Sequence, residues 1–394
     1  MKNWTIQPLS SLTNNLDNKR IPLNEGERAL RRGIGKYPYF GANNELDRLD
    51  EYIFDEKILC VAEDGGSWGS NQKCAYIFSG KCWVNNHAHV LTAKPNVSLE
   101  YLKYYLNRVD LSSFITGTTR GKLTRSALDR IQVPLPSYAE QQRIADILGK
   151  ADAVRANRRQ TIAKLDALLQ SVFLDMFGDP ALNKKGWPKL SLVRTAEIFR
   201  DGPFGSNLKT SHYRESGVRV IRLQNIGVGE FLDSDKVFIS EDHFRSLPGN
   251  HCRPGDVLIG TLGDPNLRAC VLPENVRRAL NKADCVLLRP DRQIANAHYL
   301  TYLLNSPSTL RMASGLILGE TRMRISMGRL RELSVPVPPL ELQNQFLGVV
   351  NVILQQKINL WNSIHLFDNL VHSLQQRAFN GELFAETPEL LEVD

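Results

Sequence analysis

The chain has 394 residues, with 49 Lys plus Arg against 42 Asp plus Glu and a formal net charge of +7. Apolar residues make up 42% and charged residues 23%, which fits a folded protein of two or three domains and excludes a disordered chain. The longest apolar stretch, Phe346 to Leu354, is interrupted by Asn351 and is far below the roughly 20 residues that a membrane helix needs, so no membrane partner is expected.

The N-terminus, Met-Lys-Asn-Trp, runs into polar sequence and shows no signal-peptide apolar region. Cys60, Cys74, Cys82, Cys252, Cys270 and Cys285 form no Cys-x-x-Cys pair. A chain of this length needs no disulfide staples, so buried thiols in a reducing, cytoplasmic setting are expected.

Taken in chain order, Arg28, Arg31, Arg32 and Lys36 precede a Gly/Asn-containing stretch, Tyr37-Pro-Tyr-Phe-Gly-Ala-Asn-Asn44. Ile58 to Ala62 reads as a buried strand and Lys73 to Phe78 as another. Between them, Gly65-Gly-Ser-Trp-Gly69 satisfies the Gly-x-Ser-x-Gly pattern of a nucleophile elbow. That elbow needs a helix after the serine, whereas Lys73 to Val84 looks like further β structure. No Asp or Glu lies between Ser67 and His87 or His89, although the motif's order is Ser, acid, His. A Gly-rich turn that presents Trp68 at its tip is the better reading. Leu99 to Arg108 reads as a helix.

Val133-Pro-Leu-Pro136 then marks a joint, because proline continues neither a strand ladder nor a helix interior. Beyond it, Ile144, Leu148, Ala151, Ile162, Leu165, Leu169, Val172 and Met176 recur along an uninterrupted helical pattern. With Arg155 and Arg158 included, the spacing alternates four and three, which is a heptad seam. The second half repeats the arrangement. Val218 to Leu223 and Val257 to Gly260 read as strands, and Ala297 to Asn305 as a helix. Val335-Pro-Val-Pro338 is the second joint, followed by Phe346, Val350, Ile353, Lys357, Leu360, Ile364, Phe367, Val371, Leu374 and Ala378 in the same register.

A displacement of 202 residues superposes the two halves. Gly117-Thr-Thr-Arg120 falls on Gly319-Glu-Thr-Arg322, Gln141 on Gln343, Arg155 on Lys357, and Asp166 on Asp368. Tyr101 to Asn107 resembles Tyr299 to Asn305. Each half is therefore a variable globular part followed by a repeated helix. A helix from Ile144 to Met176 spans roughly 50 Å at 1.5 Å per residue. Two such seams in one chain should pair with each other. The basic residue in each seam either fixes the alignment or snorkels to the edge.

The expected fold class is α+β: two mixed α/β parts related by pseudo-twofold symmetry and separated by two long helices in an antiparallel coiled coil. The boundaries are 1–136 for the first part, 137–180 for the first helix, 181–338 for the second part and 339–384 for the second helix. An acidic tail, 385–394, is assigned no role.

Basic side chains beside Ser, Thr and Asn suit phosphate contacts, and Arg, Asn and Gln match purine edges. Candidate DNA contacts are Arg31, Arg32, Lys36, Tyr39, Asn43, Ser67, Trp68, Arg120 and Lys122 in the first half. In the second they are Ser206, Asn207, Lys209, Arg222, Gln224, Arg322 and Arg324. An alternative role for Arg120 and Arg322 is to fasten each globular part to its helix. No phosphate loop, His-Glu-x-x-His, zinc-spaced Cys/His cluster, Asp-Pro-Pro-Tyr or metal-nuclease carboxylate set is present, so no metal site or catalytic residue is assigned.

Together these residues resemble the specificity subunit of type I restriction-modification systems. Val133-Pro-Leu-Pro-Ser-Tyr-Ala-Glu-Gln-Gln-Arg-Ile144 is similar to that family's joint. Ile21 to Arg28, Tyr39 to Asn43 and Glu63 to Ser67 resemble one subgroup of its recognition domains, and Gly202 to Asn207 with Val220 to Asn225 resembles another. The second joint, Glu341-Leu-Gln-Asn-Gln-Phe346, departs from the pattern.

The resemblance implies two target-recognition domains, each reading one part of an asymmetric, bipartite DNA site in the major groove, with the helix pair as ruler. It implies two modification (methyltransferase) subunits as partners, which bind S-adenosylmethionine and methylate adenine at N6 after flipping it out of the duplex. ATP-dependent, Mg-requiring restriction subunits would join them. It implies no cofactor and no chemistry in this chain. Two other readings remain: the specificity subunit of a type II enzyme with a fused methyltransferase-nuclease partner, and a stand-alone bipartite DNA-binding regulator.

Overall fold

The computed structural model describes residues 4–117, 120–318 and 324–384. Arg322 and the acidic tail lie outside them. The chain divides into two compact units, residues 1–159 with 362–394, and residues 160–361.

The first unit is built on a six-stranded sheet in the order Thr13–Asn15, Ala88–Ala93, Phe54–Ala62, Ala75–Val84, Tyr37–Phe40, Glu45–Leu49. All neighbours are antiparallel except Tyr37–Phe40, which runs parallel to Ala75–Val84. The second unit has a four-stranded antiparallel sheet, Ala196–Arg200, Cys285–Pro290, Val257–Gly260, Arg268–Val271, which repeats the first four strands of the other unit in order and direction. A second four-stranded sheet, Val237–Ile239, Val218–Ile221, Ala279–Asn281, His251–Cys252, packs with it in the same unit. The expected helices Leu99–Arg108 and Ala297–Asn305 form with those bounds. The strand expected over Lys73 to Phe78 instead runs Ala75–Val84. All six cysteines are buried free thiols.

The two long helices are Tyr138–Phe177 and Leu340–Phe379. The first begins six residues before its seam, where the Ser137 hydroxyl accepts the Glu140 amide N–H at 3.3 Å and caps the new helix. Along both helices the seam positions are the buried or half-buried ones, including Leu165, Val172, Leu360 and Phe367, which are half-buried. In the first unit Ile144 and Leu148 share a core with Ala378 and Phe379. In the second, Leu169 and Phe173 share one with Phe346, Val350 and Ile353. Residues early in one helix thus meet residues late in the other, so the helices pair antiparallel within each unit.

The polar seam positions form ion pairs. Arg155 Nε lies 2.7 Å from Asp368 Oδ1, and Lys357 Nζ lies 2.6 Å from Asp166 Oδ1. These pairs are each other's equivalents under the 202-residue repeat. The Arg155 N–H is not aligned on the carboxylate, so that contact is ionic rather than a hydrogen bond. Arg158 donates to the Ser363 carbonyl at 3.2 Å and covers the Phe367 ring at 4.8 Å. The basic seam residues therefore find partners on the facing helix instead of only snorkelling.

The joints are also duplicated. Gln141 is fully buried; its Oε1 accepts the Ser98 N–H, and its Nε2 donates to the Asn96 and Pro136 carbonyls. Gln343 does the same with Asn296 N–H and the Ile294 and Pro338 carbonyls. The Tyr101 and Tyr299 hydroxyls donate to the Pro134 and Pro336 carbonyls. These bonds explain why Tyr, Gln and the Pro-x-Pro segments recur together: each ties the globular part to the start of its helix.

Candidate nucleic-acid interface

In the first unit the strand Phe54–Ala62 ends in Glu63-Asp64-Gly-Gly-Ser67, and three other segments converge there. Asn43 Nδ2 donates to the Gly65 carbonyl at 3.3 Å. Arg120 Nη2 reaches Asp64 Oδ1 at 3.1 Å, with its guanidinium over Gly65. Lys122 Nζ lies 2.9 Å from Glu63 Oε1, and His87 Nδ1 lies 2.6 Å from Asp64. Asn43, Ser67, Arg120 and Lys122 are all exposed. Arg120 is held by the end of the sheet, so its partner is not the helix.

Beneath this surface lies a buried polar strap. Asp17 Oδ2 is 2.6 Å from His89 Nδ1, and His89 Nε2 is 2.8 Å from the Leu123 carbonyl. Arg20 donates to Glu63 at 2.6 Å and to the Ala88 carbonyl at 2.8 Å. Burial raises the Asp17 carboxyl's affinity for a proton, but the hydrogen bond and charge of His89 outweigh it, leaving the pKa below the usual range. Glu63 behaves likewise, with burial opposed by Arg20 and Lys122. Asp17, Glu63 and His89 bring ligand-type atoms within 4.8 Å of one another. Arg20, Lys122 and the Leu123 carbonyl already occupy them, so the set does not fit a metal ion. It fastens the Lys122–Leu123 strand, and with it Arg120, to the sheet.

Arg31, Arg32 and Lys36 make no contact with this group. Arg32 makes a two-pronged contact with Asp47 at 3.0 and 2.7 Å. That hydrogen bond pulls the Asp47 carboxyl down to about 2. Arg31 Nε lies 3.5 Å from Glu51. Lys36 is exposed, and its ammonium has no described partner.

Two expectations are corrected. Tyr39 has no exposed surface, and its hydroxyl is bonded to the Leu23 backbone. It lies on a strand between two others, so its ring faces the core and is not a DNA contact. Trp68 is 8% exposed and donates its indole N–H to the Ala62 carbonyl at 3.2 Å. The ring turns inward under the Gly-rich turn instead of standing at its tip.

In the second unit Ser206, Asn207, Lys209 and Gln224 are exposed. Arg222 Nε lies 3.0 Å from Asp235. Arg324 lies 2.8 Å from Asp284 and 3.4 Å from Asp201, and its guanidinium sits 5.3 Å from the Phe204 ring centre. Arg324 and Lys122 are equivalents under the repeat, and both meet carboxylates at the end of the sheet. Burial, opposed mainly by the Gly202 N–H, holds the Asp201 carboxyl above its ordinary range. Sequence reasoning missed Phe204, because an isolated aromatic residue reads as core. It also missed the acidic partners, whose only signal is being Asp or Glu next to a strand end.

The described residues include no helix long and apolar enough to cross a membrane. Residues 1–167 match the family described as the type I restriction modification DNA specificity domain. A putative type I specificity subunit of Haemophilus influenzae is 24% identical over 88% of this chain and 86% of its own length. The EcoKI specificity subunit of Escherichia coli K12 is 23% identical over 98% and 92%. The crystal structure of a type I S subunit from M. genitalium shares the fold, with a TM-score of 0.55, 17% identity and 96% of each chain covered. The duplicated joints and helices together with these likenesses lead to one conclusion: residues 1–167 match the type I restriction modification DNA specificity domain, and the chain as a whole is similar in sequence and fold to type I restriction-modification specificity subunits.

Proposed function

We propose that the chain reads a bipartite, asymmetric DNA site, one part through residues 1–136 and the other through residues 181–338, in the major groove. The observation that carries this reading is the duplication of detail. Each unit has the same four-strand order, the same buried glutamine at its joint and an equivalent cation–carboxylate contact at the strand ends. The segments after corresponding strands differ, with Asp17-Asn-Lys-Arg20 in one and Asp201-Gly-Pro-Phe-Gly-Ser-Asn207 in the other, so the two parts of the site should differ in sequence. The helix pair acts as the spacer. Readers on one face of B-DNA sit about 34 Å apart, which helices of 40 residues, roughly 60 Å long, can span.

The outer helix faces dock two modification subunits. Val352 in the second unit and Leu366 and Leu370 in the first are exposed apolar residues along the helices, as docking would require. The modification subunits carry S-adenosylmethionine and methylate adenine; restriction subunits using ATP and Mg join them. The chain itself holds none of these cofactors.

Exchange of residues 181–338 for the corresponding part of another specificity subunit tests the division of labour. One part of the methylated site should change and the other stay. A change in both parts, or in neither, contradicts it.

A further inference from the structure

The second unit presents one aromatic ring on an anchored tip. The strand Ala196–Arg200 runs into Asp201-Gly-Pro-Phe-Gly-Ser-Asn-Leu208. Gly202 is packed so closely that a Cβ there would lie 1.9 Å from the Lys282 carbonyl carbon. Asp201 Oδ1 accepts the Gly202 and Asp284 N–H groups at 2.7 and 3.0 Å. Pro203 and Leu208 are buried on either side, and Phe204 to Asn207 between them are exposed. Gly205, at φ +60, makes the turn that lifts the tip.

Phe204 is 47% exposed. Single exposed apolar residues are common and often mean nothing. This one differs in its setting. Both ends of its loop are fixed, its exposed neighbours Ser206, Asn207 and Lys209 are hydrogen-bond donors or cations, and Arg324 holds one face of the ring within cation–π range. The ring is preorganised among groups suited to a polyanion.

We propose that Phe204 is a base-reading contact of the second unit, its ring packing on the C5 methyl of a thymine while Lys209 meets a flanking phosphate. This inference rests on the DNA-recognition reading above. The thymine methyl is the apolar group that a base pair offers in the major groove, so it is the natural partner of a phenyl ring there. In the first unit the segment after the corresponding strand, Asp17-Asn-Lys-Arg20, has no aromatic residue, and its Arg20 is turned onto Glu63. The contact therefore belongs to one part of the site only.

The test uses the chain complexed with its modification subunits and the duplex that they select. Each thymine of the part read by residues 181–338 is replaced in turn by deoxyuridine, which removes the methyl alone, and affinity is measured by fluorescence anisotropy. At one position the replacement should weaken the wild-type complex about 3- to 5-fold, the value of one buried methyl group. Phe204→Ala should weaken binding of the parent duplex by about tenfold and make that replacement silent. Phe204→Leu should keep part of the sensitivity. No sensitive thymine, or equal sensitivity in wild type and Phe204→Ala, overturns the assignment. A complex that binds the selected duplex no better than random DNA overturns the broader DNA-recognition reading with it.

Discussion

Removing the carboxylate of Asp368 should destabilise the first unit more than removing that of Asp166 destabilises the second, although the repeat makes the two positions equivalent. Arg155 and Asp368 are 24% and 28% exposed in their side chains and 2.7 Å apart. Lys357 is 17% exposed, but its partner Asp166 is 55% exposed. Breaking a fully buried pair costs roughly 3–5 kcal/mol, and an exposed pair contributes about 0.2–1 kcal/mol. Arg155 keeps a second contact with Asp152 at 3.5 Å. Asp368→Ala should therefore cost about 1–2 kcal/mol, and Asp166→Ala, screened by solvent, about 0.5 kcal/mol or less. In a unit of this size that is a fall of roughly 3–6 °C in the melting midpoint for Asp368→Ala. The double variant Arg155→Leu/Asp368→Leu, which completes the apolar seam, should recover the loss. Thermal denaturation followed by circular dichroism at 222 nm measures all three. Equal losses for the two aspartates, or a double variant worse than Asp368→Ala, would refute the reasoning from burial.

Other outcomes depend on the same geometry. Gln141→Ala and Gln343→Ala should each cost about 2–3 kcal/mol, since each leaves a buried N–H and two buried carbonyls without their partner; the melting midpoints report it. The Asp17 and Glu63 carboxyls lie below their unfolded values in the folded state, so they stabilise the first unit above the ordinary carboxylate range and the benefit is lost on acidification through the folded values. Asp17→Asn should accordingly flatten the fall in stability between neutral pH and pH 3, and an unchanged slope would count against the strap. Lys36→Ala should lower DNA affinity by a similar factor for all sequences and reduce the salt dependence by about one counterion, measured by binding at several salt concentrations.

The helices and the central strands were legible because their signals are local. A four-three spacing sustained from Ile144 to Met176 has no other common solution, and Val257–Gly260 is apolar at the centre of a sheet covered on both faces. The side-chain partners were not legible, because they come from afar in the chain. Arg32 meets Asp47, Arg120 meets Asp64, and Arg324 meets Asp201; no pattern near the arginine announces the carboxylate. The pairing matters for function, because a tied guanidinium is less free to take a phosphate than the ammonium of Lys36. Tyr39 and Trp68 were misplaced for a different reason. Each sits beside Gly and Asn residues that mark turns, yet tertiary packing turns both rings inward. Phe204 is the converse, an apolar residue that the anchored loop holds outward.

The most direct test of the central claim is a selection from random duplex DNA by the chain co-expressed with its modification subunit. A two-part consensus with a fixed, unspecified spacer, different sequences in its two parts and an adenine in each is the predicted result. A single continuous motif, or a palindrome, would contradict two unlike readers held apart by the helix pair.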